Sequence, residues 1–304
     1  MPSDDIQVFR EVLASSKNPI ILSGAGLSAR SGIATYRGVT ASPLNQDGAI
    51  PYTTPEAFQK DPSSAWQHFH ARRTMMLNAK PNDAHRALAT LNLPDIQSRL
   101  APNSASPPLH VTQNVDGLSF RVLDPLPEEV QSQAKERIIE MHGSEFITKC
   151  TSCRATRKTF EPILAASLAD VGDDPSAPKK VIPVEKLPKC GGDHWNGSNR
   201  YGNCGGLLRP DVVWFGEVPP LMGEIQRKLT WCDLLIIVGS SFTVHPAAGF
   251  ATQVKKSGGK IAVFNLERCS GDEDVDFLFQ GDCSETLPRV FDVKEVLISF
   301  WGAP

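Results

Sequence analysis

Residues 20–38 read IILSGAGLSARSGIATYRG. A short apolar run, Pro19, Ile20, Ile21 and Leu22, breaks off at Gly24-Ala25-Gly26-Leu27-Ser28-Ala29. Strand, glycine turn and helix start follow one another as in the G-x-G-x-x-A phosphate loop. Glycines there let the backbone turn tightly and approach a pyrophosphate, and the helix start offers free N–H groups. Taken alone, the pattern also suits an ordinary strand–helix turn. Its continuation, from Ser31 to Gly38, is less ordinary: it sets further glycines, an aromatic (Tyr36) and a cation (Arg37) directly after the loop.

Outward from that loop the chain alternates helical and extended patterns. Ile6, Phe9, Val12 and Leu13 fall at helical spacing ahead of the first strand. Residues 39–55, rich in Pro, Thr, Asn and Gly, read as a loop, and 56–78 as a helix carrying Trp66, Phe69, Arg72, Arg73 and Met76. Phe69 and Arg72 lie one turn apart on one face; a core aromatic beside a solvated arginine is the plainer alternative. Residues 82–91 suggest a helix capped by Asn82 or Asp83, and 101–108 a loop. The strand 109–112 delivers Gln113, Asn114 and Asp116 at its carboxyl end, where open α/β sheets bind ligands, although Asn, Asp and Gly also make turns. A second apolar run, 138–141, ends in His142-Gly143. The histidine is a candidate general base because its pKa lies near neutral pH, or it is simply structural.

Farther on, LLRPDVVWFG (207–216) is extended, with Pro210 placing it at a sheet edge. Val213, Trp214, Phe215, Gly216 and Glu217 offer a peptide an edge to pair with, or are buried in the core. The apolar strand 233–241 ends in Gly239-Ser240-Ser241. A helix over 246–256 and a strand over 260–264, tipped by Asn265-Leu266-Glu267, complete a βαβ unit. Glu267 or Asn265 is placed to bond ribose hydroxyls. Cys283 follows one more short apolar piece, and 286–296 closes as a helix. The expected fold class is α/β: a Rossmann-type doubly wound parallel sheet with a smaller zinc-ribbon domain.

Composition narrows the function. With 304 residues, 40% hydrophobic and 21% charged, the chain is expected to be soluble and globular. A net charge of -3 gives no general attraction to nucleic acid or to an anionic membrane, and neither is expected as a partner. The start, MPSDDIQVFREVLASS, resembles neither a secretory signal nor an Arg-rich presequence. An intracellular location is therefore expected, cytoplasmic or nuclear ahead of the mitochondrial alternative.

All seven cysteines lie beyond residue 149, an odd number that suits a reducing compartment and a metal site better than a disulfide framework. Cys150 and Cys153 form a CxxC knuckle; Cys190 and Cys204 follow in KCGGDHWNGSNRYGNCGG. Four thiolates among Gly-rich turns fit a structural zinc, which leaves no open coordination position. Thirteen residues separate Cys190 from Cys204, so residues 191–203 must loop out, and His194 within them is a rival ligand. Residues 171–188, between the pairs, read as an exposed arm.

Set in order, GAGLSARSGIATYRG, TQNVDG, MHG, the cysteine pairs, VVWFGE, VGSS, FNLE and GDC resemble the sirtuin family of NAD-dependent protein lysine deacylases across nearly the whole chain. VIPVEKLPKC, CGGLLRPDVVWFGE and the helix with Phe69 and Arg72 are most similar to its class III subgroup, which removes succinyl, malonyl or glutaryl groups. The resemblance implies a Rossmann-type NAD-binding domain over 1–38, 109–143 and 207–304. It further implies a helical and loop part of the small domain over 39–108 and a zinc ribbon over 144–206. By the same resemblance, Gly24, Ala25, Gly26, Ala29, Tyr36 and Arg37 would hold the NAD phosphates and flank the nicotinamide ribose. Gln113, Asn114 and Asp116 would position that ribose and the carboxamide, while Gly239, Ser240, Ser241, Asn265, Leu266, Glu267 and Cys283 would surround the adenosine half. Residues 213–217 would pair with the substrate backbone. The acyl oxygen would attack the ribose and expel nicotinamide, with Asn114 and His142 as catalytic residues and His142 the general base.

One departure concerns selectivity. The subgroup grips the acid end of the acyl chain with a Tyr and an Arg three apart; here Phe69 stands for the Tyr and Arg72 is kept. Acidic acyl groups are therefore expected to be accepted with weaker preference over acetyl or crotonyl. Acylated proteins or peptides are the expected partners, and the chain is expected to act as a monomer. A nicotinamide dehydrogenase would share the phosphate loop without needing the cysteine ribbon. A non-catalytic NAD-binding adaptor would not need His142 and Asn114, and the alternative activities of the same fold are mainly deacetylation or decrotonylation, or ADP-ribosyl transfer.

Overall fold

The structure, a computed structural model, describes residues 1–35, 52–172, 179–192, 204–269 and 271–302. Its centre is a six-stranded sheet of β1 (Pro19–Ser23), β2 (Leu109–Thr112), β3 (Ile138–Glu140), β7 (Leu234–Val238), β8 (Lys260–Asn265) and β9 (Phe277–Gln280). The order is β3-β2-β1-β7-β8-β9 and every pairing is parallel. The middle strands are apolar without alternation because both faces are covered. Ile21, Leu234, Ile236 and Val238 face one core with Phe9 and Leu13 of the helix Ile6–Ser15. Ile20, Leu22, Leu235 and Ile237 face the other, with Ile225, Leu229, Phe250 and Val254.

A second, antiparallel sheet joins β4 (Gly143–Cys150), β5 (Thr156–Lys158) and β6 (Leu208–Val212) in the order β5-β4-β6. It carries a third core in which Trp66 and Phe69 meet Cys150, Cys190 and Trp214. Pro210 sits on the edge strand β6, as its missing N–H requires. Among the described residues no helix is long and apolar enough to cross a membrane.

Four local expectations need correction. The glycine turn opens into a 3-10 helix, Ala25–Ser31, rather than an α-helix. Helix 56–78 is two helices, Pro55–Lys60 and Pro62–Asn78, because Pro62 keeps Asp61 out of helical geometry (ψ 76°) while the Asp61 side chain caps the second helix. The closing helix is likewise two, Cys283–Phe291 and Lys294–Trp301, parted by Asp292 in the left-handed region. The arm over 171–188 is tied down where it is described. Ile182 and Leu187 are buried, and the Lys180 carbonyl accepts from Gln67 Nε2 at 2.7 Å.

Candidate active site

In an open parallel sheet the binding crevice lies where the strand order reverses, here between β1 and β7. The two strand ends touch at their glycines. Gly24 and Gly26 lie so close to Gly239 that a Cβ on either would stand 2.7 Å from its backbone, and Gly239 itself has φ +62°. These glycines are thus explained first by backbone-to-backbone packing, which draws the turn over the sheet.

A cleft of about 1060 Å³ opens at this point. Single small-molecule sites commonly span about 300–1,000 Å³, so the cleft has room for a dinucleotide and an acylated side chain together. Gly24, Ala25, Gly26 and Ala29 form one wall, with Gln113, Asn114 and His142 beside them; Gly239, Ser240, Ser241, Asn265, Leu266, Glu267 and Cys283 continue it. Phe69, Arg72 and residues 213–217 close the other end. Tyr36, Arg37 and His194 lie outside the described residues.

Asp116 is placed differently from the rest. It is buried behind the wall, accepting from Ser28 Oγ (2.7 Å) and the Leu118 N–H (2.9 Å), and burial raises its pKa against those two bonds. Ser28 Oγ in turn accepts from Asn114 Nδ2 at 3.1 Å, and Asn114 Nδ2 also reaches the Gly24 carbonyl at 3.1 Å. The chain Asn114–Ser28–Asp116 therefore pins the Asn114 amide to the glycine turn. His85 Nε2 lies 3.4 Å from the same serine. Toward β7 and β8, Gln113 Nε2 donates to Ser240 Oγ (3.1 Å) and Asn265 Nδ2 to the Ser240 carbonyl (2.8 Å).

His142 is fixed by backbone and ring together. Its carbonyl accepts from the Val213 N–H at 2.8 Å, and its Nδ1 lies 3.1 Å from the Gln113 carbonyl. A carbonyl only accepts, so Nδ1 carries the hydrogen and Nε2 keeps its lone pair. Burial lowers the imidazole pKa, against the pull of the Gln113 carbonyl, and so favours the neutral base. The next residue must be glycine: Gly143 has φ +77°, and a Cβ would meet the Asp211 carbonyl at 2.0 Å.

At the far end, Phe69 is buried and stacks on Trp214 (centroids 5.9 Å apart, planes 11°). Four of the five N–H groups in 213–217 are engaged within the chain. Val213 donates to His142, Trp214 to the Glu217 carboxylate, Phe215 to Thr53 and Glu217 to Trp214. Glu217 also takes a two-pronged bond from Arg209 (2.7 and 2.8 Å), whose guanidinium lies 3.4 Å over the Trp214 ring. Burial would raise the Glu217 pKa; the Arg209 bonds outweigh it and hold the carboxyl below its usual value. Glu217 thus anchors the segment.

Neighbouring arginines on the helix Pro62–Asn78 have separate tasks. Arg73 is buried and donates to the carbonyls of Glu145 (2.8 Å) and Glu161 (2.9 Å), and burial lowers its pKa to about 10. Arg72 faces the cleft and pairs with Glu145, Nε to Oε1 at 3.6 Å. Sequence reasoning missed Glu145. Its strand bulges between Ser144 and Thr148, so Ser144, Glu145 and Phe146 are buried in succession and the alternation that exposes every second residue fails.

The thiols of Cys150, Cys153, Cys190 and Cys204 lie within 4.8 Å of one another, with Cys150–Cys204 at 3.4 Å and Cys153–Cys190 at 3.8 Å. Tetrahedral zinc with bonds near 2.3 Å separates its sulfurs by about 3.8 Å, so the set fits that ion.

The Sir2 family model matches residues 24–246, from the glycine turn to beyond β7. This chain belongs to the Sir2 family. It is 38% identical, over 97% of its length and 87% of the relative's, to the dog protein named NAD-dependent protein deacylase sirtuin-5, mitochondrial. A solved Sir2 homolog–NAD complex superposes with a TM-score of 0.69 at 30% identity, covering 98% of this chain and 97% of that one. A Sir2–p53 peptide–NAD+ structure gives 0.70 at 26% identity, covering 96% and 99%. In this Sir2 protein the polar strand ends and His142 line one cleft, and the four cysteines form a cluster of their own.

Proposed function

We propose that this Sir2 protein is an NAD-dependent protein lysine deacylase. The observation that carries this is a single cleft joining the glycine turn at the sheet's reversal point, His142, and the Phe69–Arg72 helix face. The dog relative is named a deacylase, and a solved relative holds both peptide and NAD+. NAD, when bound, supplies a ribose carbon that gives up nicotinamide as the acyl oxygen attacks.

The chain's residues then have definite roles. Gly24, Ala25, Gly26 and Ala29 face the phosphates, while Gln113 and Asn114 orient the nicotinamide half, with Asp116 holding Asn114 through Ser28. Gly239, Ser240, Ser241, Asn265, Leu266, Glu267 and Cys283 receive the adenosine half. His142 Nε2 removes a proton from a ribose hydroxyl, with the Nδ1 hydrogen fixed on the Gln113 carbonyl. General-base help of this kind is typically worth 10²–10⁴-fold. Cys150, Cys153, Cys190 and Cys204 hold a structural zinc that joins two turns of the small sheet.

The substrates are acyl-lysine proteins or peptides, lying along residues 213–217. Since most N–H groups there are engaged, such a peptide meets mainly carbonyl oxygens. Acidic acyl groups (succinyl, malonyl, glutaryl) are accepted through Arg72, with relaxed selectivity because Phe69 has no hydroxyl. We further assign residues 1–38, 109–143 and 207–304 to the dinucleotide unit, 39–108 to the helical and loop part of the small domain, and 144–206 to the ribbon. The chain works as a monomer inside the cell. An intracellular setting suits seven free thiols and a mitochondrial relative alike, though that relative lends no support to a cytoplasmic or nuclear site. A panel of acetyl-, crotonyl-, succinyl- and glutaryl-lysine peptides with NAD, read by mass spectrometry and nicotinamide release, tests the assignment. Free lysine peptide and nicotinamide in equal amounts are expected; no NAD consumption with any peptide overturns it.

A further inference from the structure

Glu145 lies deep in the cleft with a side chain 1% exposed. Among the described residues neither carboxylate oxygen has a hydrogen-bond partner, and its Arg72 contact, at 3.6 Å, is an ion pair longer than a hydrogen bond. The backbone allows it no retreat: its N–H donates to the Val115 carbonyl at 3.0 Å and its carbonyl accepts from Arg73. A buried carboxylate without a donor is costly, and any donor that reaches it is correspondingly favoured. Beside it, Arg72 offers N–H donors. The deep end therefore presents an acceptor and a donor side by side.

We propose that Glu145 makes this pocket selective for acyl-lysines whose chain carries a hydroxyl group. A hydroxyl gives its hydrogen to Glu145 and accepts from Arg72, whereas an unsubstituted chain does neither. A carboxylate-ended chain binds Arg72 but brings a second negative charge beside Glu145, which opposes it. The proposal rests on the deacylase assignment and names the substrate class for the same site.

The test compares butyryl-lysine with 2-, 3- and 4-hydroxybutyryl-lysine and with succinyl-lysine in one peptide, with NAD, for the wild type and Glu145→Leu. In the wild type the best hydroxybutyryl isomer should exceed butyryl in kcat/KM by at least tenfold. In E145L that ratio should fall to about one, and the succinyl-to-butyryl ratio should rise at least tenfold. If E145L fails to fold, by thermal unfolding and ADP-ribose titration, the nearly isosteric E145Q decides through the same rise in the succinyl ratio. Butyryl turnover with no hydroxyl preference in the wild type, or ratios that E145L and E145Q leave alone, overturns this proposal and spares the deacylase assignment. A wild type that consumes no NAD with any of these peptides overturns both.

Discussion

Along the carboxyl ends of β1, β2 and β7, polar side chains satisfy one another: Asn114 on Ser28 and Gly24, Ser28 on Asp116, Gln113 on Ser240. At the other end of the same cleft, Glu145 is buried facing Arg72, and neither of its oxygens meets a donor among the described residues. The first region is arranged before any ligand arrives, which suits recognition of one invariant dinucleotide. The second leaves chemistry uncommitted, which suits a wall whose occupant varies from substrate to substrate. Backbone glycines govern the first, and side chains from a helix and a bulged strand govern the second.

The contrast is broken most severely through the metal. Chelation, or Cys150→Ser, strips the small sheet of a cross-link whose binding in small zinc modules is worth about 10 kcal/mol or more. Deacylation should vanish while ADP-ribose still binds the large sheet; equal loss of both, by calorimetric titration, would show the two regions to be one cooperative unit. Elemental analysis should return one zinc per chain.

His142→Ala should cost roughly 10²–10⁴-fold in kcat with nucleotide binding kept, and an undiminished rate removes the histidine from the mechanism. In the wild type the acid limb of kcat/KM should lie below pH 6.5, since burial favours the neutral imidazole.

Smaller is the titration of the histidines behind the glycine-turn wall. Burial pushes His110 down to about 4 and His85, with His110 close by, down to about 3. Ser23 Oγ donates to Thr112 Oγ1, so His110 gives its Nε2 hydrogen to Ser23 at 2.8 Å and stays neutral. The unfolded chain takes up a proton near pH 6.5 that the folded chain refuses, so the stability from each neutral histidine is full above that pH. It is lost as pH falls toward the folded value. Urea unfolding of His110→Gln between pH 6 and 4.5 should show an acid slope shallower than wild type by about 1.4 kcal/mol per pH unit. Equal slopes would mean that His110 is not held neutral. Least of all, Glu217→Gln should raise the peptide KM roughly two- to tenfold, because the Arg209 bond is partly solvent-screened. A fall in kcat alone would instead place Glu217 in the chemistry.

Much of the glycine-turn side of the cleft is legible in the sequence, because apolar runs that end in Gly, Asn or Ser announce buried strands and their tips. The strand expected over 109–112 has the boundaries observed. The cysteine spacing discloses a four-cysteine cluster fit for a metal despite thirteen residues between the second pair. The 3-10 start was not legible, since it follows from Gly24 and Gly26 packing on Gly239, more than two hundred residues away. The break at Asp61–Pro62 is written in the proline, whereas Asp292 takes its left-handed turn without a glycine to signal it. Glu145 was hidden for another reason: in SEFITK it reads as the outward member of an alternating strand, and a bulge turns it in.

Arg73 fastens the helix Pro62–Asn78 to the small sheet through the carbonyls of residues 145 and 161, while Arg72, one position earlier, reads the cleft. Attachment and recognition thus fall to consecutive side chains, and the attachment grips backbone, which every amino acid possesses. Residue 145 is consequently a dial: its side chain is open to exchange by an engineer or by natural drift while the rivet that locates it stays in place.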